Sequence, residues 1–214
     1  MKQIKQVIRI LIVDDHAVVR NGVKLIFADE PDSATFGEAG TAQEALHLVR
    51  EQEWDVVLMD IALGDRSGLE VLKDLKSIRP KLPVLMLSMH SEAQYARRAF
   101  KAGASGYITK DSTPEELARA IDKVATGGKY VSATLAELLV TELDDTDKMP
   151  HERLSDREFE IMCLLASGKT VSEVAAQLFL SIKTISTYRT RVLEKMGMRT
   201  NAELTHYAIL NKLV

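Results

Sequence analysis

The stretches VIRILIVDD (Val7–Asp15) and VVLMD (Val56–Asp60) decide how this chain folds. Each is a run of β-branched and other apolar residues that stops at an aspartate. The apolar character is continuous rather than alternating, so both faces of these strands are buried, as in a parallel sheet covered by helices. Three further runs, Ala34–Ala39, Pro83–Ser88 and Gly106–Thr109, have strand length. Helix-period segments lie between them, with Ala42, Ala45, Leu46 and Val49 on one face and Leu117, Ala120, Ile121 and Val124 on another. Ser or Thr followed three residues later by Glu or Gln marks helix starts at Thr41/Glu44, Ser67/Glu70, Ser91/Gln94 and Thr113/Glu116. Pro114 takes a first helical position. The pattern predicts an α/β domain, a (βα)5 doubly wound parallel sheet whose functional groups gather at the carboxyl ends of the strands.

After Gly127-Gly128 the strand signals stop. The reading places a receiver-sized domain over 1–127 and a linker with a short helix (Ser132–Leu143) over 128–150. A small all-helical domain follows over 151–214. The formal net charge of -3 is unevenly spread: 18 Lys/Arg face 24 Asp/Glu in residues 1–147, and 10 face 7 in residues 148–214. A basic tail behind an acidic front points to an anionic partner for the tail. The single cysteine, Cys163, stands in an apolar run and reads as packing. No stretch approaches the ~18 apolar residues of a membrane span, and the N-terminal run, broken by Arg9, does not read as a signal peptide. The expected location is the cytoplasm, without a membrane partner.

Asp14, Asp15 and Asp60 fall at the ends of the first and third predicted strands, on one edge of the sheet. Singly, each reads as a turn residue or helix cap. Together they repel unless a cation intervenes, and an all-oxygen cluster suits Mg²⁺. Ser88 and Lys110 close the fourth and fifth strands. A hydroxyl and an ammonium facing a metal-bound carboxylate are the groups that hold transferred phosphoryl oxygens.

These five residues, with Gly68 eight positions after Asp60, resemble the receiver domain of two-component response regulators over about residues 7–126. The resemblance implies that Asp60 accepts a phosphoryl group from a sensor histidine kinase, with Mg²⁺ held by Asp14, Asp15 and Asp60. Ser88 and Lys110 would bind the acyl phosphate, and Tyr107 would be the switch aromatic that turns inward as Ser88 moves. The chain departs from the family at Gly64-Asp65, where most receivers carry proline-glycine; losing that proline should loosen the loop. Met89 is bulkier than the small residue common after Ser88.

In the tail, Ser155/Glu158 and Thr170/Glu173 open two short helices, a third starts near Ile182 and a fourth near Asn201. The second and third have the proportions of a helix-turn-helix. On the third, Ile185, Val192 and Met196 face the core, and Lys183, Ser186, Thr187, Thr190 and Arg191 face away, flanked by Arg189. Leu154-Ser155-Asp156-Arg157-Glu158, Gly168-Lys169-Thr170, Glu173-Val174-Ala175, Lys183-Thr184-Ile185 and Lys195-Met196-Gly197 resemble the LuxR-type helix-turn-helix. With the receiver, the whole chain resembles the NarL/FixJ class. The resemblance implies a third helix that enters the major groove of promoter DNA, using Lys183, Thr184, Ser186, Thr187, Tyr188, Arg189, Thr190 and Arg191. It also implies a last helix, about Asn201–Lys212, that supplies a dimer contact on activation. In this class the unphosphorylated receiver masks the DNA-binding helix.

Three functions fit such a chain: a phosphorylation-switched transcription regulator, a DNA-binding module independent of phosphorylation, and a Mg²⁺-dependent phosphohydrolase. The intact set of five site residues favours the first over the second. Ala62, two positions beyond Asp60, offers no acid or base for hydrolytic turnover and argues against an enzyme.

Overall fold

The computed structural model describes residues 7–28, 32–64, 66–89, 92–133, 135–137, 149–211 and 213–214. They form two compact units, Met1–Ala136 and Glu137–Val214. The first alternates β1 (Ile8–Val13), α1 (Ala17–Ile26), β2 (Ala34–Ala39), α2 (Ala42–Glu51), β3 (Val56–Asp60), α3 (Gly68–Ile78), β4 (Val84–Ser88), α4 (Glu92–Lys101), β5 (Gly106–Thr109) and α5 (Pro114–Ala125). All four strand pairings are parallel, in the order β2-β1-β3-β4-β5. Every residue of β3 and β4 is buried, as their unbroken apolar runs require. Ile10, Ile12, Leu58, Leu85 and Leu87 pack with Ile121 and Val124 of α5 in one core cluster. Burying each such side chain stabilises by roughly 1.5–3 kcal/mol.

The helix starts fall where the caps predict, but the side-chain bonds differ. Thr41 accepts from the Glu44 N–H, while the Glu44 carboxylate turns back to the Gly40 N–H instead of closing on Thr41. Thr113 accepts from Glu116, whose carboxylate takes the Tyr130 hydroxyl at 2.7 Å. Ser67 occupies the N-cap of α3 without making a side-chain cap bond. Ser91 and Asp65 lie outside the described residues. Within the segment read as linker, Tyr130 bridges to Gly106 beside β5, Lys129 donates to the Ala104 carbonyl at 2.7 Å, and Leu135 is buried. Of the expected linker helix, residues 133 and 135–137 are helical, residue 132 is not, and 134 and 138–143 lie outside the described residues.

From residue 149 on, the described residues of the second unit form a 3-10 turn, Pro150–Arg153, then α6 (Asp156–Ala166), α7 (Val171–Gln177), α8 (Ile182–Met196) and α9 (Asn201–Leu210). Ser155/Glu158 and Thr170/Glu173 are full capping boxes, closed in both directions. Ile161, Leu164 and Leu165 of α6, Val174 and Ala175 of α7, Leu178 at the C-cap of α7 and Ile185 of α8 form the core. Phe179 makes the tight turn from α7 to α8 at φ 51, a left-handed conformation that non-glycine residues rarely take. Gly197 ends α8 at φ 67, and its N–H and that of Met198 satisfy the carbonyls of Glu194 and Leu193. Lys195, near the end of α8, reaches the buried Glu158 carboxylate at 2.6 Å and ties α8 to the start of α6. None of the described helices is long and apolar enough to cross a membrane.

Candidate functional site

The strand order makes β1 and β3 neighbours, so Asp14, Asp15 and Asp60 emerge side by side at the carboxyl edge. Asp14 and Asp60 are buried, and one ligand atom from each of Asp14, Asp15, His16 and Asp60 lies within 4.8 Å of the others. Lys110, extending from the end of β5, inserts its ammonium between two of these carboxylates, 2.6 Å from Asp14 Oδ2 and 2.7 Å from Asp60 Oδ2. Ser88 closes β4 in a buried position between them, with its carbonyl accepting the Lys110 N–H at 2.7 Å. Tyr107 is fully buried in β5. The structure therefore gathers Asp14, Asp15, Asp60 and Lys110 at one edge of the sheet, with Ser88 at the end of the strand between β3 and β5.

One ammonium does not neutralise this site. Burial pushes the Asp60 carboxyl above its ordinary value; Lys110 offsets part of that, and the Asp14 charge adds to it. Burial pulls Lys110 down, but the charges of Asp60 and Asp14 outweigh it and hold its ammonium above its ordinary range. Three carboxylates against one ammonium leave two negative charges, apart from His16. A divalent cation with oxygen ligands matches both the charge and the donor set.

The backbone around Asp60 is tightly set. The Gly68 N–H donates to the Ile61 carbonyl at 2.7 Å, and a Cβ at Gly68 would overlap the Asp60 carbonyl oxygen. The Ala62 N–H donates to Asp60 Oδ1 at 3.2 Å. At Gly64, where the family's proline would have no N–H, the glycine N–H donates to Asp15 Oδ2 at 3.3 Å. The expected loosening is thus met by a tie to the acidic pair. Two residues escaped the sequence reading. His16 donates its backbone N–H to Asp14 Oδ1 at 2.8 Å, and its Nδ1 lies 2.6 Å from Asp15 Oδ1. Arg20 donates to the Asp14 carbonyl at 2.7 Å and to Glu38 at 2.9 Å. Only the adjacency of His16 to Asp14-Asp15 was visible beforehand.

In the second unit, α8 buries Ile185, Val192, Leu193 and Met196 and exposes Lys183, Ser186, Thr187, Thr190 and Arg191. The other three expected contacts are half-buried. Thr184 shares a hydrogen bond with Ser181 across the helix cap at 2.7 Å. Tyr188 packs on the core cluster, with the Arg191 guanidinium 6.0 Å from its ring centre. Arg189 donates Nε to Asn201 at 2.6 Å, fastening α8 to the start of α9.

A doubly wound sheet with this acidic edge, followed by a helix-turn-helix, defines a phosphorylation-type receiver joined to a DNA-binding output module. Residues 10–122 match the response regulator receiver domain, and residues 152–208 match the bacterial regulatory proteins of the luxR family. The chain is 34% identical over 208 residues to the response regulator UvrY of Escherichia coli strain K12, covering 96% of this chain and 95% of that one. It is 34% identical over 209 residues to the response regulator GacA of Pseudomonas aeruginosa, covering 97% and 98%. A LuxR-family two-component response regulator from Aurantimonas sp. SI85-9A1 superposes with a TM-score of 0.59 at 35% identity, over 64% of this chain and 99% of that one. RcsB from Salmonella enterica serovar Typhimurium, solved on promoter DNA with the phosphomimetic beryllium fluoride, superposes with a TM-score of 0.64 at 23% identity, over 94% and 98%. This last likeness is one of fold. The chain belongs to the NarL/FixJ-class response regulators, two-component regulators of transcription rather than enzymes of metabolism.

Proposed function

We propose that phosphorylation of Asp60 by a sensor histidine kinase switches this protein to a DNA-binding dimer. The carrying observation is the insertion of Lys110 between Asp14 and Asp60, at 2.6 and 2.7 Å, with Ser88 at the end of the strand between. An Asp60 carboxylate oxygen attacks the phosphorus of a phosphohistidine; the P–N bond breaks, the acyl phosphate forms, and the imidazole leaves with a proton. Lys110 and the Ser88 hydroxyl then hold the phosphoryl oxygens. Asp14, Asp15 and Asp60 would hold Mg²⁺, which would supply charge neutralisation for incoming phosphoryl oxygens. Before phosphorylation the Asp60 and Asp14 carboxylates occupy Lys110. An acyl phosphate draws the ammonium and the Ser88 hydroxyl toward itself, and Tyr107 responds to the space Ser88 vacates. This population shift favours a dimer on a two-fold operator in cytoplasmic DNA.

On α8, Lys183 and Arg191 take phosphates, Ser186, Thr187 and Thr190 face base edges, and Thr184, Tyr188 and Arg189 flank them. The surface of α9 around Met198, Ala202, Tyr207 and Leu210 is an open apolar groove of about 470 Å³, suited to the dimer contact. The test is intact mass after incubation with Mg²⁺ and acetyl phosphate, then light scattering with beryllofluoride. An adduct of about 80 Da that is absent in Asp60→Ala, with a shift to dimer, is the expected result. No adduct and no shift with either reagent would overturn the switch and leave a phosphorylation-independent DNA-binding module.

A further inference from the structure

We infer that Thr187 and Thr190 read thymine through their methyl groups, not through their hydroxyls. This rests on the assignment of α8 as the DNA-reading helix and concerns what that helix recognises. The Thr187 hydroxyl donates to the Lys183 carbonyl at 3.0 Å, and the Thr190 hydroxyl donates to the Ser186 carbonyl at 3.1 Å. Each bond runs back one turn within the helix and fixes the side-chain rotor. A hydroxyl has one proton, and in both residues it is given to the helix. Neither has a donor left for the O4, O6 or N7 acceptors of a base edge; the remaining lone pairs can accept only from adenine N6 or cytosine N4, so a contact to thymine itself falls to the methyl group. The free end of each side chain is the Cγ2 methyl.

Both residues are exposed, and with Lys183 they form a stripe opposite Ile185, Val192 and Met196. Thr187 and Thr190 are three residues apart, neighbours on one face, and a rise of about 4.5 Å separates them along the axis. Successive bases on a DNA strand are about 3.4 Å apart, so the two methyl groups meet neighbouring base pairs. In the major groove the apolar group available to them is the C5-methyl of thymine. Lys183, one turn before Thr187 on the stripe, and Arg191, to its side, supply phosphate contacts that carry no sequence preference.

The full chain, with Mg²⁺ and beryllofluoride, is used to select duplexes from a random-sequence library. Each thymine of the selected site is then replaced by deoxyuridine, which removes only the methyl group. The expected result is an affinity loss of about fourfold per contacted methyl, the worth of one buried carbon group. It is confined to one or two adjacent base pairs of each half-site. Thr187→Ser keeps the hydroxyl and loses the methyl, and should abolish the thymine-over-uracil preference at one position. Thr187→Val keeps the methyl without the hydroxyl, and should retain that preference. Thr190 should behave likewise at the adjacent pair. Uracil replacement without effect at every position, or discrimination lost in the valine variant and kept in the serine one, overturns the methyl reading while DNA recognition stands. Failure to enrich any sequence would overturn both.

Discussion

Gly68 offers a severe test of how the phosphoacceptor strand is held, because a single methyl there collides with backbone that has no free rotor. A Cβ on Gly68 would overlap the Asp60 carbonyl oxygen and lie 2.9 Å from the carbonyl carbon and 3.0 Å from Ile61 Cα. Relief requires the start of α3 to move off the end of β3, stretching the Gly68 N–H bond to Ile61, now 2.7 Å. Overpacking of this kind costs about 1–3 kcal/mol. For a unit that runs from Met1 to Ala136, an unfolding entropy of about 2.1 cal/mol/K per residue converts this to a Tm drop of about 3.5–10 °C. Trp54, the one tryptophan of the chain, lies buried in this unit with its indole N–H on the Leu48 carbonyl, so its fluorescence reports this unit's melting. Gly68→Ala should lower that transition and slow acetyl phosphate labelling, because the Asp60 carbonyl and side chain shift together. Gly22→Ala is the opposite case: Gly22 is exposed in α1 with nothing within 4 Å of its Cβ position. It should raise Tm by about 2–3.5 °C, from about 0.5–1 kcal/mol of helix propensity. A Gly68→Ala protein with wild-type Tm and wild-type labelling would refute the argument that this glycine sets the acidic edge.

Removal of Lys110 leaves Asp14 and Asp60 buried face to face. Lys110→Met should therefore lose about 3–5 kcal/mol in EDTA and recover most of it in millimolar Mg²⁺; equal melting with and without the metal would show that the carboxylates do not share a cation site. Burial pushes the Glu158 carboxyl up, but the Lys195 ammonium and the Ser155 N–H outweigh it and hold it below its ordinary value. Its pairing contributes stability above the unfolded carboxyl pKa of about 4.3, and that contribution is lost as pH falls through the lower folded value. Wild type and Lys195→Met should then differ in calorimetric Tm at pH 7 and converge near pH 3; parallel profiles would contradict the pairing. Cys163, buried in α6 at 3% exposure, should resist a thiol-specific disulfide reagent in the native protein and react fully in guanidinium. Rapid native labelling would mean that α6 opens without global unfolding.

Much of this protein was legible in one dimension because its signals are local. Strands buried on both faces require unbroken apolar runs, and those runs located β1, β3 and β4 within a residue. Caps work over three residues, so Thr41, Thr113, Ser155 and Thr170 marked helix starts without knowledge of neighbours. Which carboxylate closes a cap was not legible: Glu44 and Glu116 went to Gly40 and Tyr130, partners chosen by packing. Ser67 took its N-cap position without a cap bond. The placement of Asp14, Asp60, Ser88 and Lys110 at strand ends could be read from residue spacing and family resemblance. Their meeting could not be read from spacing alone, since Lys110 lies 50 residues from Asp60 and 96 from Asp14. It follows from the sheet order β2-β1-β3-β4-β5, a long-range property of the closed core. The outward face of α8 was set by helical period alone. The back-bonding of the Thr187 and Thr190 hydroxyls and the capture of Arg189 by Asn201 were decided in three dimensions, because a polar side chain takes the partner that folding places beside it.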